Sequence, residues 1–167
     1  MMDKTITFDQ LKEVLSGLGY AEKPAGRNVV FTHPESDLYI VLPNMATLER
    51  VSPMDILSVQ NTLANSGIAS KDRFDSLLEP LALWNAIIDE KAAFEAEHGY
   101  PPELLELPVV QAYDLAKLDR EELGRLSERV MNDGIKAFEK EGLLGIPVKL
   151  IPGRGEFQFK CAKSPAS

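Results

Sequence analysis

The chain has 167 residues, 44% of them apolar and 26% charged, which fits a folded protein of one domain or two small ones and excludes disorder as the default. Its net charge of −8 is spread evenly: residues 1–79 hold 7 Lys and Arg against 11 Asp and Glu, and residues 80–167 hold 11 against 15, giving −4 each. That balance disfavours broad electrostatic capture of nucleic acid, whose phosphates require clustered cations.

Thr7-Phe8-Asp9-Gln10 has the order of a capping box, with Thr at the cap and Gln three residues on. Ile6 ahead of it can staple onto Leu11. Phe8, Leu11, Leu15 and Leu18 recur at helical spacing, and Gly19 follows as a stop, so a first helix is expected over about 8–18. Tyr20 to Lys23 reads as a short strand broken at Pro24, and Ala25-Gly26 as a turn. The β-branched and aromatic run Val29 to Thr32 predicts a strand. After the turn residues Pro34-Glu35-Ser36-Asp37, Leu38 to Leu42 predicts a second, whose unbroken apolar character implies burial on both faces. Ser52-Pro53-Met54-Asp55 starts a helix with Ile56, Val59, Leu63 and Leu57 inward, ended at Ser66-Gly67. Ser70 caps a further short helix, Lys71 to Leu78, with Phe74, Leu77 and Leu78 inward.

Pro80 marks a shift in pattern. Leu81 to His98 reads as a long amphipathic helix, with Leu81, Trp84, Ile88, Ala92 and Phe94 inward, stopped by Gly99-Tyr100-Pro101-Pro102. A short strand is expected over Leu104 to Leu107 and a short helix over Pro108 to Leu118. Asp119-Arg120-Glu121-Glu122 opens a helix reaching about Lys140, with Leu123, Leu126, Val130, Ile135 and Phe138 as its apolar set. Gly142 and Gly145 end it. Ile146 to Ile151, Pro152-Gly153-Arg154-Gly155 and Glu156 to Lys160 predict a β-hairpin, followed by a loose tail from Ala162.

The order in the first half resembles the HicA family of small toxin proteins. Leu11 to Tyr20 is similar to that family's first helix with its Leu-x-x-x-Gly-aromatic ending. Gly26-Arg27-Asn28-Val29-Val30-Phe31-Thr32-His33-Pro34 is similar to its Gly-Ser-His-His-x-aromatic-x-His-Pro segment. Ile40 to Pro43 and Ile56 to Gly67 are similar to the strand and helix that follow. The resemblance covers residues 5–68. It implies a double-stranded-RNA-binding-like α/β fold, a metal-independent ribonuclease acting on mRNA, and an antitoxin partner. The family's catalytic histidine stands two positions after the glycine, where this chain has Asn28, and Arg27 replaces the small residue before it. An amide cannot titrate, whereas general acid–base work requires a proton that moves near neutral pH. His33 matches the family's later His-Pro, for which a turn role is expected.

The remaining candidates read as structural. His98 sits at a helix C-terminus, where the dipole favours a capping role. The carboxylates Asp89, Glu90, Glu95, Glu97, Glu121, Glu122, Glu139 and Glu141 fit solvated helix faces, with Arg125 at pairing distance from Glu121 and Glu122. Cys161 lacks a second Cys or a nearby His and reads as a spectator thiol. No His-x-Glu, Cys-x-x-Cys or acidic-loop spacing points to a metal, and no cofactor is expected. Neither Gly142-Leu143-Leu144-Gly145 nor Pro152-Gly153-Arg154-Gly155 follows a strand and opens a helix, as a phosphate loop requires. Tyr39, Trp84 and Tyr100 read as core or domain-contact aromatics.

The expectation is therefore an α+β protein. A HicA-like small antiparallel sheet with helices occupies about 1–79, and a helical segment ending in a β-hairpin occupies about 80–167. The leading function is a non-catalytic binding protein for RNA or a protein, with Arg27, Asn28 and His33 on its surface and Arg27 able to pair with phosphate. The alternatives are an mRNA interferase using His33, or an assembly protein, including a phage one. No run nears the roughly 20 apolar residues of a membrane span, and Met1-Met2-Asp3-Lys4-Thr5 lacks the order of a secretory signal, so the expected compartment is the cytoplasm, with no membrane association.

Overall fold

A computed structural model describes residues 6–118, 123 and 125–161. The protein is α+β, and it divides into two compact units, Met1–Ala82 and Leu83–Ser167.

The first unit runs α1 (Phe8–Gly17), β1 (Ala21–Ala25), β2 (Asn28–His33), β3 (Ser36–Pro43), α2 (Pro53–Ser66) and the start of α3 (Lys71–His98). The capping box forms in both directions: Thr7 Oγ1 accepts from the Gln10 N–H at 3.2 Å, and Gln10 Oε1 accepts from the Thr7 N–H at 2.9 Å. The strands make an antiparallel sheet in the order β1-β2-β3. Val29, Phe31, Ile40 and Leu42 alternate onto one face, where they are buried with Phe8, Leu11, Leu15, Val59, Leu63 and Phe74 in one core.

Pro24 lies inside β1 instead of ending it. Ala25 and Asn28 close a two-residue hairpin, so the hydrogen-bonding alternation puts Pro24 at a non-bonded position on an edge strand. The missing N–H would have pointed off the sheet. Positive φ at Gly26 (64°) with none at Arg27 is the pattern of a II′ turn.

The expected double-sided burial of β3 is not found. Ile40 and Leu42 are buried, but Tyr39 and Val41 are exposed, because the core lies on one face of the sheet only; Leu38 is exposed as well, where the β2–β3 register shifts between Phe31 and His33. In α2, Ser52 Oγ caps Asp55 N–H at 3.2 Å and Val59 and Leu63 form the stripe, but Leu57 is exposed. Pro80 does not stop a helix either. It is buried within the continuous α3, where it cannot donate to the Ser76 carbonyl one turn back. Ile87, not Ile88, is the fully buried residue of that stretch, and Leu77 is exposed.

The second unit continues with β4 (Leu104–Pro108), α4 (Val109–Leu115), α5 (Arg125–Asp133), a 3₁₀ turn over Gly134–Lys136, α6 (Ala137–Glu141), β5 (Val148–Ile151) and β6 (Gln158–Lys160). The expected helix to Lys140 is interrupted at Gly134, whose φ of 76° leaves the helical region. Its expected start, Asp119 to Glu122, lies outside the described residues, as does the tail from Ala162. Leu123, Leu126 and Phe138 are buried as the pattern requires.

The predicted C-terminal hairpin is replaced by another pairing. β4 lies between β5 and β6, parallel to the first and antiparallel to the second. Leu105 and Leu107 are fully buried on it, so the more apolar strand takes the centre, and residues 152–157 cross over its end. Buried Gln111 of α4 anchors that crossing, its Oε1 accepting from the Phe157 N–H at 3.2 Å.

Candidate functional site

The three residues singled out by sequence do not converge. Arg27 sits at the tip of the β1–β2 turn and Asn28 begins β2, both exposed. His33 ends β2, five residues further on, about 17 Å away at the usual rise of an extended strand. The two also face opposite ways. Asn28 shares the open face with its partners Ala25 and Pro43, whereas His33 packs on the core side against Tyr20, ring centroids 5.0 Å apart and edge-on.

Backbone occupies both nitrogens of His33. Nδ1 accepts from the Glu35 N–H at 3.0 Å, so the ring proton lies on Nε2, which donates to the Leu18 carbonyl at 3.0 Å. Gly19 makes room for the ring: with φ at 99°, a Cβ on it would stand 2.7 Å from Nε2. The imidazole ties the end of α1 to the end of β2, and neither lone pair nor proton is left for a substrate.

The open face holds what the sequence reading missed. Tyr39 is 65% and Val41 51% exposed. Val41 stands opposite half-buried Val30, which stands opposite Lys23. This is a largely apolar sheet surface with one cation in its central row. An unbroken apolar run reads equally as burial on two faces or as one buried and one exposed apolar face, so periodicity alone could not identify it.

Clefts lie elsewhere in each unit. In the first unit, Ile6, Val51, Ile56, Leu57, Leu78 and Ala82 line an apolar one of about 280 Å³, with Gln60 Nε2 donating to Asp75 Oδ1 at 2.8 Å at its wall. In the second, Glu90, Phe94, Glu97, Phe157, Phe159 and Lys160 line one of about 310 Å³. His98 there closes the end of α3 as expected, donating from Nδ1 to the Phe94 carbonyl at 3.0 Å and stacking on the Phe94 ring. Tyr100 is exposed rather than core. Its hydroxyl lies 3.3 Å from Cys161 Sγ, and that hydrogen bond raises the phenol above its ordinary pKa. Trp84 is buried, as expected of a core aromatic. Glu139 is not merely solvated: its Oε2 accepts from the Leu150 N–H at 3.0 Å.

Among the described residues, no group of three or more His, Cys, Asp or Glu is placed to hold a metal ion, and no helix is long and apolar enough to cross a membrane. No protein-family model, curated protein or solved structure matches the chain.

Proposed function

We propose that this protein is a non-catalytic interaction protein whose first unit, on a HicA-like α-β-β-β-α arrangement, binds a protein through the open side of its sheet. The observation that carries this reading is the pair Tyr39 and Val41, large apolar side chains two residues apart on β3 and both exposed. Exposed aromatic and β-branched residues on a sheet suit protein contact. A chain of net charge −8, with Lys23 and Arg27 as the cations beside that face, suits a phosphate backbone poorly. The engaged ring of His33 and the amide of Asn28 argue against the ribonuclease alternative. On its single cysteine and the absence of a spanning helix among the described residues, we read the protein as cytoplasmic.

The test compares the purified full chain with its Tyr39→Lys/Val41→Lys variant. The expected results are no cleavage of mRNA, and capture of a protein from nuclease-treated native extract by the wild type but not by the variant. RNA cleavage abolished by Asn28→Ala contradicts the reading. So does capture that the two lysines leave unchanged.

A further inference from the structure

A further cleft of the first unit, of about 170 Å³, is lined by Lys12 and Ser16 of α1 and by Tyr20, Ala21, Glu22 and Phe31 of the sheet side. Local periodicity brings these residues together. Lys12 and Ser16 stand four residues apart and so share one face of α1. Glu22 stands opposite Phe31 across the β1–β2 ladder, and side chains of directly opposed residues lie on one face of a sheet. Phe31 belongs to the core together with Tyr20. The cleft therefore lies on the core side of the sheet, not on the open face that carries Tyr39 and Val41. Its floor is Tyr20 and Phe31, 5% and 1% exposed, and its rim carries exposed Ser16 and Glu22.

The polar groups around this cleft are unevenly satisfied. Lys12 Nζ stands 3.3 Å from Glu22 Oε2 and 5.3 Å from the centre of the Phe8 ring. The rim thus holds a cation and an anion that offset one another. The Tyr20 hydroxyl differs. Among the described residues it is the one buried side-chain polar atom without a hydrogen-bond partner in the protein. A hydroxyl withdrawn from water without a partner costs free energy, and a phenylalanine would fill the same core position without that cost. An orphaned phenol in the lining of a polar cleft points to a ligand that completes its hydrogen bonding.

We propose that this cleft binds a small uncharged carboxamide. The lining selects that class. Lys12 only donates, Glu22 only accepts, and the hydroxyls of Ser16 and Tyr20 do either. Because Lys12 and Glu22 are already paired, an added anion meets the carboxylate and an added cation meets the ammonium, each without a counter-charge of its own. A carboxamide brings one strong acceptor and two donors with no net charge. Its carbonyl accepts from the Tyr20 O–H, and its NH₂ has Glu22 and Ser16 as acceptors. Phe31 supplies the apolar wall for the rest of the molecule. This goes beyond the protein-binding role, and neither depends on the other, since the two surfaces lie on opposite faces of the sheet.

The experiment titrates the purified full chain with benzamide and follows backbone amide chemical shifts, beside benzoate and benzylamine as charged counterparts on the same ring. Benzamide is expected to give saturable shifts centred on residues 12, 16 and 20–22, with each charged counterpart weaker by about tenfold or more. Tyr20→Phe, which removes only the hydroxyl, is expected to weaken benzamide about fivefold. Ser16→Leu, a larger side chain at an exposed position on the rim, is expected to abolish binding. Far-ultraviolet circular dichroism confirms that each variant keeps the wild-type fold. The absence of saturable shifts at these residues overturns the proposal, as does a charged counterpart that binds as tightly as benzamide. Binding that folded Tyr20→Phe leaves unchanged, with a raised urea midpoint, also overturns it, because the phenol is then simply unsatisfied.

Discussion

His33 Nε2 donates to the carbonyl of Leu18 at 3.0 Å. Leu18 is the C-cap residue of α1, and the carbonyls of a helix's last turn have no partner within the helix. The imidazole supplies one, while its other nitrogen accepts from the Glu35 N–H inside the β2–β3 turn. One side chain thereby closes a helix and orders a hairpin.

His33→Ala is expected to lower stability by about 1–3 kcal/mol, through two lost hydrogen bonds and the exposure of their backbone partners. Gly19→Ala is expected to cost a comparable amount, about 1–3 kcal/mol, since φ is 99° and the new methyl meets the ring. Combined, the costs should fall short of their sum, because removing the ring removes the clash. Urea unfolding of the two single variants and the double variant checks this; strictly additive costs would contradict the contact.

Leu144 is the one non-glycine residue with positive φ among those described, at 54°. It shares a two-residue turn with Gly145, whose φ is 77°, closed by mutual hydrogen bonds of 2.9 Å between Leu143 and Ile146. Both central residues in the left-handed region make the I′ pattern, for which Asn-Gly is the preferred pair. Leu144→Asn is expected to raise stability by about 1 kcal/mol by relieving the Cβ–carbonyl crowding of a leucine there. A higher urea midpoint with an unchanged slope is the readout, and a lower midpoint would contradict the turn assignment.

Local chemistry was legible wherever one short segment determines it. The Thr7–Gln10 box, the Ser52 cap and the Gly67 stop follow from side chains that bond their own neighbours. Pairing choices were not legible, because they depend on what competes for an edge. Residues 146–160 have the composition of a hairpin, yet both strands pair with β4, a more apolar alternative some forty residues earlier. Pro24 and Pro80 were read as breaks because proline lacks an N–H. At Pro24 the sheet does not use that N–H, and at Pro80 the helix continues without it.

The candidate site was legible only in part. Gly26 marks its turn correctly, but His33 is near Arg27 and Asn28 in sequence and not in space, because β2 separates its two ends and alternates its faces. Tyr39 was read as a core or domain-contact aromatic and Val41 as part of a strand buried on both faces, yet both are exposed, because an apolar strand gives no sign of which face its neighbours leave open.

The account turns on whether the edge of β3 is open. Amide hydrogen exchange, residue by residue over Ile40, Val41 and Leu42, tests this most directly. Val41, between two positions bonded to β2, is expected to exchange quickly and Ile40 and Leu42 slowly. Equal protection of all three amides would show that the chain covers this edge itself, and would contradict the account.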